Sequence, residues 1–118
     1  MQQLFESWTA LPPGSLTGAG WVAHGVYRGG ELAGIGVVMG TEVHFAVNPV
    51  WSGRLMSRRA VRSFLAPLLE EHVFLTTRVR HGDMVAPRFL DRLGFAPTWS
   101  DSSYCYYMLT ELPYSKEI

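Results

Sequence analysis

Residues 41–72 read TEVHFAVNPVWSGRLMSRRAVRSFLAPLLEEH, and this stretch decides how the rest of the chain is interpreted. Apolar residues occupy alternate positions from 43 to 47, which is the period of a half-buried strand. Pro49 ends that strand, because proline has no N–H to contribute to a sheet. Ser52 can cap the helix that follows, in which apolar residues recur on one face. Pro67 lies inside this helix and is expected to kink or shorten it.

The junction between this strand and this helix is a candidate anion site. The N-terminus of a helix presents unpaired N–H groups and the positive end of the helix dipole, and both favour negative charge. Gly53 lies in the turn at this junction. The plainer interpretation, a simple strand–helix connection, is the commoner one for such a spacing.

The composition is that of one ordinary globular domain. The chain has 118 residues, of which 47% are hydrophobic and 17% charged, and a single domain over residues 1–118 is expected from this length. No stretch reaches the roughly 20 apolar residues that span a bilayer, and the N-terminus lacks the pattern of a signal peptide. Cys105 is the single cysteine and cannot form an internal disulfide. We therefore expect a cytoplasmic protein in a reducing compartment.

The charges sum to zero but are unevenly distributed. Residues 52–92 contain eight arginines and four acidic residues, whereas the rest of the chain is acidic. Arg54, Arg58 and Arg62 recur at four-residue spacing and form a stripe along the long helix. This stripe is either a solvated helix face or a docking surface for an anionic ligand or an acidic protein. The zero net charge gives no reason to expect nucleic-acid binding.

The other elements follow from similar patterns. In chain order we expect an N-terminal arm and linker at 1–20, an antiparallel meander of three strands at 21–47, the long helix as a crossover, a strand at 73–79, a second helix, a hairpin at 95–110 and a tail at 111–118. Asp83 is the expected cap of the second helix and Gly94 its C-terminal glycine. This order predicts an α/β fold with a mixed sheet and helices on both faces.

This order of elements, with a turn suited to phosphate before the long helix, resembles the GNAT superfamily of N-acetyltransferases. The resemblance covers roughly residues 21–110. Residues 47–54, Val-Asn-Pro-Val-Trp-Ser-Gly-Arg, are similar to the acetyl-CoA signature of the superfamily. Residues 83–95, which end in Leu-Gly-Phe, are similar to its second motif. The resemblance implies a GNAT-like fold with a truncated N-terminal region.

The resemblance also implies a loop whose backbone N–H groups hold the pyrophosphate of acetyl-CoA. Gly53 matches the first glycine of this loop, but Leu55 and Ser57 stand where the other two belong. Leu90 stands at the position of the tyrosine that protonates the departing thiolate. These departures predict a degenerate site without a cofactor. If acetyl-CoA does bind, the expected contacts are Val47, Trp51, Ser52, Gly53, Arg54 and Arg58.

A narrower resemblance is to small GNAT-like proteins of tailed bacteriophages, which are internal-virion or head-assembly components. The shared features are a tryptophan before a Ser-Gly turn, a helix with arginine clusters and the run Arg88-Phe89-Leu90. This resemblance implies a non-catalytic structural or assembly protein of the host cytoplasm and the virion, with virion proteins as partners. The expected partner contacts are Trp8, Arg58, Arg59 and Arg62.

The alternative is an active N-acetyltransferase, which needs a general base to take a proton from the acceptor amine, directly or through water. Glu42 and His44 lie on the strand nearest the expected cleft and point to the same side. Tyr104 on the last strand is a candidate replacement for the missing acid. Each of the three also has a plainer interpretation, as a solvated, hydrogen-bonded or packed side chain. No group of His, Cys, Asp and Glu has the spacing of a metal site.

Overall fold

The computed structural model describes residues 1–16, 20–51 and 58–112, without the side chains of residues 51, 58 and 59. These ranges contain three α helices and six strands. Their order along the chain confirms the predicted mixed α/β class. The elements are α1 (Gln2–Trp8), β1 (Val22–Arg28), β2 (Glu31–Met39), β3 (Glu42–Val47), α2 (Arg58–His72), β4 (Leu75–Arg80), α3 (Ala86–Leu93), β5 (Ala96–Ser100) and β6 (Tyr104–Leu109), with a 3-10 turn at Pro49–Trp51. The chain forms two compact units, Met1–Phe64 and Leu65–Ile118.

The first unit is built on the predicted antiparallel meander, in which β2 pairs with β1 on one side and β3 on the other. Tight turns join the strands. Gly29 and Gly30, with φ of 59° and 82°, make the first turn, and Gly40, with φ of 62°, lies in the second. Two successive residues in the left-handed region are typical of the type I′ hairpin, where glycine avoids the steric penalty of a side chain.

Both faces of this meander are packed. Ile35 and Val37 of β2 point into a buried cluster that Phe5 of α1 completes. Gly36 points to the opposite face, where a β carbon would overlap three atoms of the Phe64 ring. The glycine therefore makes room for the aromatic side chain of Phe64 on this face.

The N-terminal segment packs on the meander as a helix and a return loop. The Glu6 side chain is buried, and its carboxylate accepts the backbone N–H groups of Gly14 at 2.9 Å and Leu16 at 2.7 Å. These two bonds fold the loop back against α1 and bring Leu16 into the core beside Phe5. Trp8, an expected partner contact, is partly buried against the same core.

In the second unit β6 lies between β4 and β5 and is antiparallel to both. Leu75 and Leu109 face each other across β4 and β6 and are fully buried. The N-cap residue of α3 is Val85, not the predicted Asp83, but Asp83 Oδ1 accepts the backbone N–H groups of Val85 and Ala86 at 3.0 Å as the helix begins. α3 ends at Gly94, whose φ of 103° is the predicted left-handed C-cap.

The structure corrects the sequence prediction at α2 and at the start of β4. α2 continues through Pro67 to His72, so of the two effects expected of this proline, a kink or a shorter helix, the shortening does not occur. Val61 and Leu65 of the same helix are 1% and 2% exposed, and burial of this apolar face outweighs the helix-breaking tendency of the proline. The fourth strand begins at Leu75 instead of Val73, because Val73 takes a left-handed φ of 71° and interrupts the extended run.

Candidate functional site

Two titratable side chains on β3 form the candidate catalytic pair. Glu42 and His44 are two residues apart on a strand, so they project from the same face as predicted. His44 Nε2 lies 2.6 Å from Glu42 Oε2, and each side chain keeps 27% of its surface exposed. The sequence predicts only that the two side chains lie on the same face of the strand. The structure shows that they are also hydrogen-bonded to each other.

This hydrogen bond decides which imidazole nitrogen of His44 is available as a base. An ionised carboxylate can only accept hydrogen bonds, so Nε2 is the donor and carries the hydrogen in the neutral ring. Nδ1 then holds the free lone pair, a tautomer assigned from the geometry of the pair. A proton taken up on Nδ1 produces an imidazolium that faces the Glu42 carboxylate. The arrangement is chemically suited to removing a proton from an amine.

Trp21, which precedes β1, covers one side of the His44 ring. The two ring centroids are 5.6 Å apart and the ring planes are inclined by 58°. The carbonyl oxygen of Trp21 accepts a hydrogen bond from Gln2 Nε2 at 2.6 Å. The imidazole is thus held between a carboxylate and an indole. No local sequence pattern links Trp21 to His44.

Asn48 fixes the backbone where β3 ends. Its side-chain N–H donates to the carbonyl of Leu32 at 2.8 Å, and its backbone N–H donates to the carbonyl of Ala33 at 2.9 Å. Its Oδ1 also accepts the N–H of Val50 at 3.0 Å. These bonds set the direction in which the chain leaves the sheet. The last one is an Asx turn, for which an asparagine before proline is a recognisable signal that our sequence analysis missed.

Most of the expected acetyl-CoA contacts fall outside the described part of the chain. Val47 is described and is exposed at the end of β3. The others are Ser52, Gly53 and Arg54, which are wholly outside it, and Trp51 and Arg58, whose side chains are outside it. The pyrophosphate loop, and its obstruction by Leu55 and Ser57, therefore stay predictions.

Of the three arginines expected to contact a partner, Arg62 has a described side chain, whereas the side chains of Arg58 and Arg59 lie outside the described part of the chain. Arg62 is half-buried and its Nε is shielded from solvent. The interpretation of the stripe as a fully solvated helix face is therefore wrong at Arg62. The proposed partner contacts of the stripe stay predictions.

Tyr104 belongs to the second unit, where it packs under two arginines of β4. The guanidinium carbons of Arg78 and Arg80 lie 4.6 Å and 5.8 Å from the centre of its ring, within the range of cation–π contacts. Tyr106, on the same face, stacks on Trp99 with ring centroids 4.5 Å apart and planes 5° from parallel. The ring of Tyr104 thus has a packing role, and the use of its hydroxyl as an acid stays a prediction.

Asp101 organises the turn between β5 and β6. Its Oδ1 accepts the backbone N–H groups of Tyr104 at 2.7 Å and Ser103 at 2.8 Å, and its Oδ2 accepts the Tyr106 hydroxyl at 2.8 Å. These bonds, led by the N–H of Tyr104, hold the pKa of Asp101 below its ordinary value. The same carboxylate raises the pKa of the Tyr106 hydroxyl. The sequence predicts the turn but not this cluster.

Two negative findings apply to the described residues. No group of three or more His, Cys, Asp or Glu side chains there is placed so that it could hold a metal ion. None of the helices in those ranges has both the length and the apolar character that are needed to cross a membrane.

The sequence matches no protein-family model and no curated protein, but solved structures match the fold. The ribosomal-protein-S18-alanine N-acetyltransferase of Escherichia coli matches with a TM-score of 0.61 and 16% identity, over 88% of this chain and 77% of that one. The PaiA N-acetyltransferase of Thermoplasma acidophilum, in complex with coenzyme A, matches with a TM-score of 0.62 and 11% identity, over 93% and 68%. An N-acyl amino acid synthase from uncultured soil microbes matches with a TM-score of 0.54 and 17% identity, over 92% and 87%.

Identities this low support a conclusion about the fold alone. The matches cover most of this chain, and they confirm the architecture that residues 47–54 and 83–95 indicated. They do not bear on the bacteriophage subgroup, which stays a prediction. The chain therefore has the mixed α/β fold of the GNAT N-acetyltransferases.

Proposed function

We propose that the protein is an N-acyltransferase that uses an acyl-CoA donor, with His44 as the general base and Glu42 as the residue that orients it. The observation that carries this proposal is the 2.6 Å hydrogen bond between Glu42 Oε2 and His44 Nε2. The fold is shared with N-acetyltransferases, one of them solved with coenzyme A, which supports acetyl-CoA as the donor. The acceptor is a primary amine.

The proposed reaction forms a bond between the amine nitrogen and the thioester carbonyl carbon and breaks the bond from that carbon to sulfur. The amine loses one proton, which His44 accepts on Nδ1 directly or through one water. Glu42 then faces the imidazolium and keeps the ring oriented. The leaving group is a thiolate, and the ordinary pKa of a thiol, about 8.5, allows it to depart without a dedicated acid. Leu90 at the position of the tyrosine acid is therefore compatible with turnover.

The test measures thiol release from acetyl-CoA with a panel of amines. We expect His44→Ala to lower kcat/KM by roughly 10²- to 10⁴-fold, the usual contribution of a general base. Glu42→Gln should lower it less, because the base is still present. His72→Ala is the matched control, because its side chain is 28% exposed and lies 3.9 Å from Glu71. Full activity in His44→Ala, or no thiol release with any amine, would show that the proposal is wrong.

A non-catalytic role in bacteriophage virion assembly is the second candidate. The residues that favour it are Leu55 and Ser57, in place of two loop glycines, and Leu90, in place of the tyrosine acid. In this role the protein would not use acetyl-CoA, and virion proteins would contact Trp8 and the arginines of α2. Calorimetry with acetyl-CoA separates the two candidates. Micromolar affinity would favour acyl transfer, whereas no binding at millimolar ligand, with co-purification of capsid, portal or tail proteins, would favour assembly.

A further inference from the structure

We infer that Trp21 is a positioning residue for His44, and that the N-terminal helix α1 controls Trp21 and through it the orientation of the base. The catalytic consequence rests on the proposed function. The position of the His44 ring against Trp21 is inferred from geometry alone and is tested by a measurement that does not depend on activity. It assigns a regulatory role to part of the segment that the sequence indicated only as an N-terminal arm and linker.

The first step is the restraint on the imidazole. Glu42 holds its edge through Nε2, and the indole of Trp21 lies against it with the centroids 5.6 Å apart. Rotation of the His44 ring about its Cβ–Cγ bond would break its hydrogen bond to Glu42. Movement of the whole side chain towards Trp21 would be blocked by the indole. Catalytic side chains need this kind of support, because a base displaced by about 1 Å loses much of its effect.

The second step is the restraint on Trp21 itself. The pairing of β1 with β2 begins at Val22 opposite Val38, so Trp21 lies outside this pairing. Its carbonyl oxygen is instead bound by Gln2 Nε2 at 2.6 Å. Its side chain packs against the buried cluster that contains Phe5. The backbone carbonyl of Trp21 is therefore held by Gln2 of α1, and its side chain packs against a cluster to which α1 contributes Phe5.

The third step concerns the stability of α1. The helix has seven residues and no side-chain hydrogen bond at its N-cap. Helices this short do not persist in water without tertiary contacts. α1 is held by the burial of Phe5 and by the two N–H groups that Glu6 accepts. Release of α1 would remove the Gln2 hydrogen bond and the Phe5 part of the cluster against which Trp21 packs. The indole beside His44 would then be less firmly held, so that docking of α1 controls how well the base is oriented.

The main test observes the His44 ring nitrogens by NMR in the full chain, without substrate. The wild type should show one tautomer, with the hydrogen on Nε2. Trp21→Ala and Gln2→Ala should each give averaged nitrogen shifts, whereas Trp21→Phe should restore the wild-type pattern. Trp99→Ala is the control, because Trp99 is 61% exposed and stacks on Tyr106. Gln2→Ala removes one side-chain hydrogen bond, so it keeps the test valid if Trp21→Ala does not fold.

Activity provides the second measurement. Trp21→Ala should lower kcat by roughly 10- to 100-fold with little change in KM, because a misplaced base slows the chemical step more than binding. Trp21→Phe should recover most of that loss. If the nitrogen shifts change as expected but no amine is acylated, the proposed function fails and the positional inference stands. If neither Trp21→Ala nor Gln2→Ala changes the His44 shifts, the inference is overturned whatever the activity.

Discussion

The hydroxyl of Tyr106 donates a hydrogen bond to Asp101 Oδ2, with 2.8 Å between the two oxygens. This hydrogen bond is the main cause of the pKa shift of Tyr106 but a lesser cause of the pKa shift of Asp101. The pKa of Asp101 is lowered first by the N–H of Tyr104, then by the N–H of Ser103, and only third by the Tyr106 hydroxyl. The pKa of Tyr106 is raised chiefly by its hydrogen bond to Asp101. Removal of Asp101 should therefore affect Tyr106 more than removal of the hydroxyl affects Asp101.

The first prediction concerns these two titrations. Asp101→Asn should move the pKa of Tyr106 down towards its ordinary value, which an absorbance titration of tyrosinate would measure. Tyr106→Phe should move the pKa of Asp101 upward only part of the way, because two backbone N–H donors remain; carboxyl-carbon NMR would measure this. Tyr27→Phe is a control, since the Tyr27 side chain is 57% exposed on β1. An Asp101→Asn variant with the wild-type alkaline titration would contradict the hydrogen bond.

The second prediction is the pH dependence of stability that follows from the same pair. The folded pKa of Asp101 is lowered, so its contribution is present above the unfolded value of about 3.9 and is lost as the pH falls through the folded value. The folded pKa of Tyr106 is raised, so its contribution is present below about 10 and is lost as the pH rises through the folded value. The unfolding midpoint in urea should thus vary less with pH in Asp101→Asn than in the wild type at both extremes. Equal profiles for the two proteins would contradict the linkage.

The elements of the fold could be predicted because their signals are local. The alternation at 43–47, the glycine pair at 29–30 and the glycine at 94 each fix a strand, a turn or a helix end by the conformations that these residues allow. The shortening of α2 expected at Pro67 does not occur, because burial of one face of the helix outweighs the preference of a single residue. The prediction failed at Val73 because no sequence pattern marks a valine that takes a left-handed φ.

The candidate site was predictable only in part. A period of two places Glu42 and His44 on one face, but their hydrogen bond depends on side-chain torsions that no pattern specifies. The bond from Gln2 to Trp21 joins residues 19 apart and exists only after α1 has docked. The prediction that Glu42 and His44 share one face of β3 was therefore correct, whereas the roles of Gln2 and Trp21 could be found only from the folded structure.

The third prediction concerns Gly36, whose absent side chain admits the ring of Phe64. Gly36→Ala should lower the free energy of unfolding by about 1–3 kcal/mol, the usual effect of overpacking in a core. Its φ is not left-handed, so space and not backbone strain is responsible. Urea unfolding would measure the effect. Adding Phe64→Leu should recover part of the loss, so the two changes together should destabilise less than their sum. Additive effects would contradict direct contact between the two positions.

The fourth prediction concerns Val73, which is 76% exposed and takes a φ of 71°. A left-handed conformation costs a side-chain-bearing residue about 1–2 kcal/mol, and more for a β-branched one, whereas glycine adopts it freely. Against this, glycine gains freedom in the unfolded chain, worth about 0.4–1 kcal/mol. Val73→Gly should therefore raise the free energy of unfolding by up to about 1 kcal/mol in thermal or urea unfolding. Val22→Gly, at an exposed strand valine, should instead destabilise, and a loss of stability in both variants would contradict the strain at Val73.

The fifth prediction concerns Glu6, a carboxylate that is 2% exposed and accepts two backbone N–H groups. A glutamine at this position keeps one acceptor oxygen but turns an N–H₂ group towards the second donor, so either the partly buried N–H of Gly14 or the buried N–H of Leu16 loses its partner. Glu6→Gln should lower the free energy of unfolding by about 1–3 kcal/mol, the range for an unsatisfied buried polar group. Glu31→Gln is the matched control, because Glu31 is exposed at the start of β2. Hydrogen exchange locates the effect: the N–H groups of Gly14 and Leu16 should exchange faster in Glu6→Gln than in the control. Unchanged exchange at both would show that the carboxylate does not hold the loop on α1.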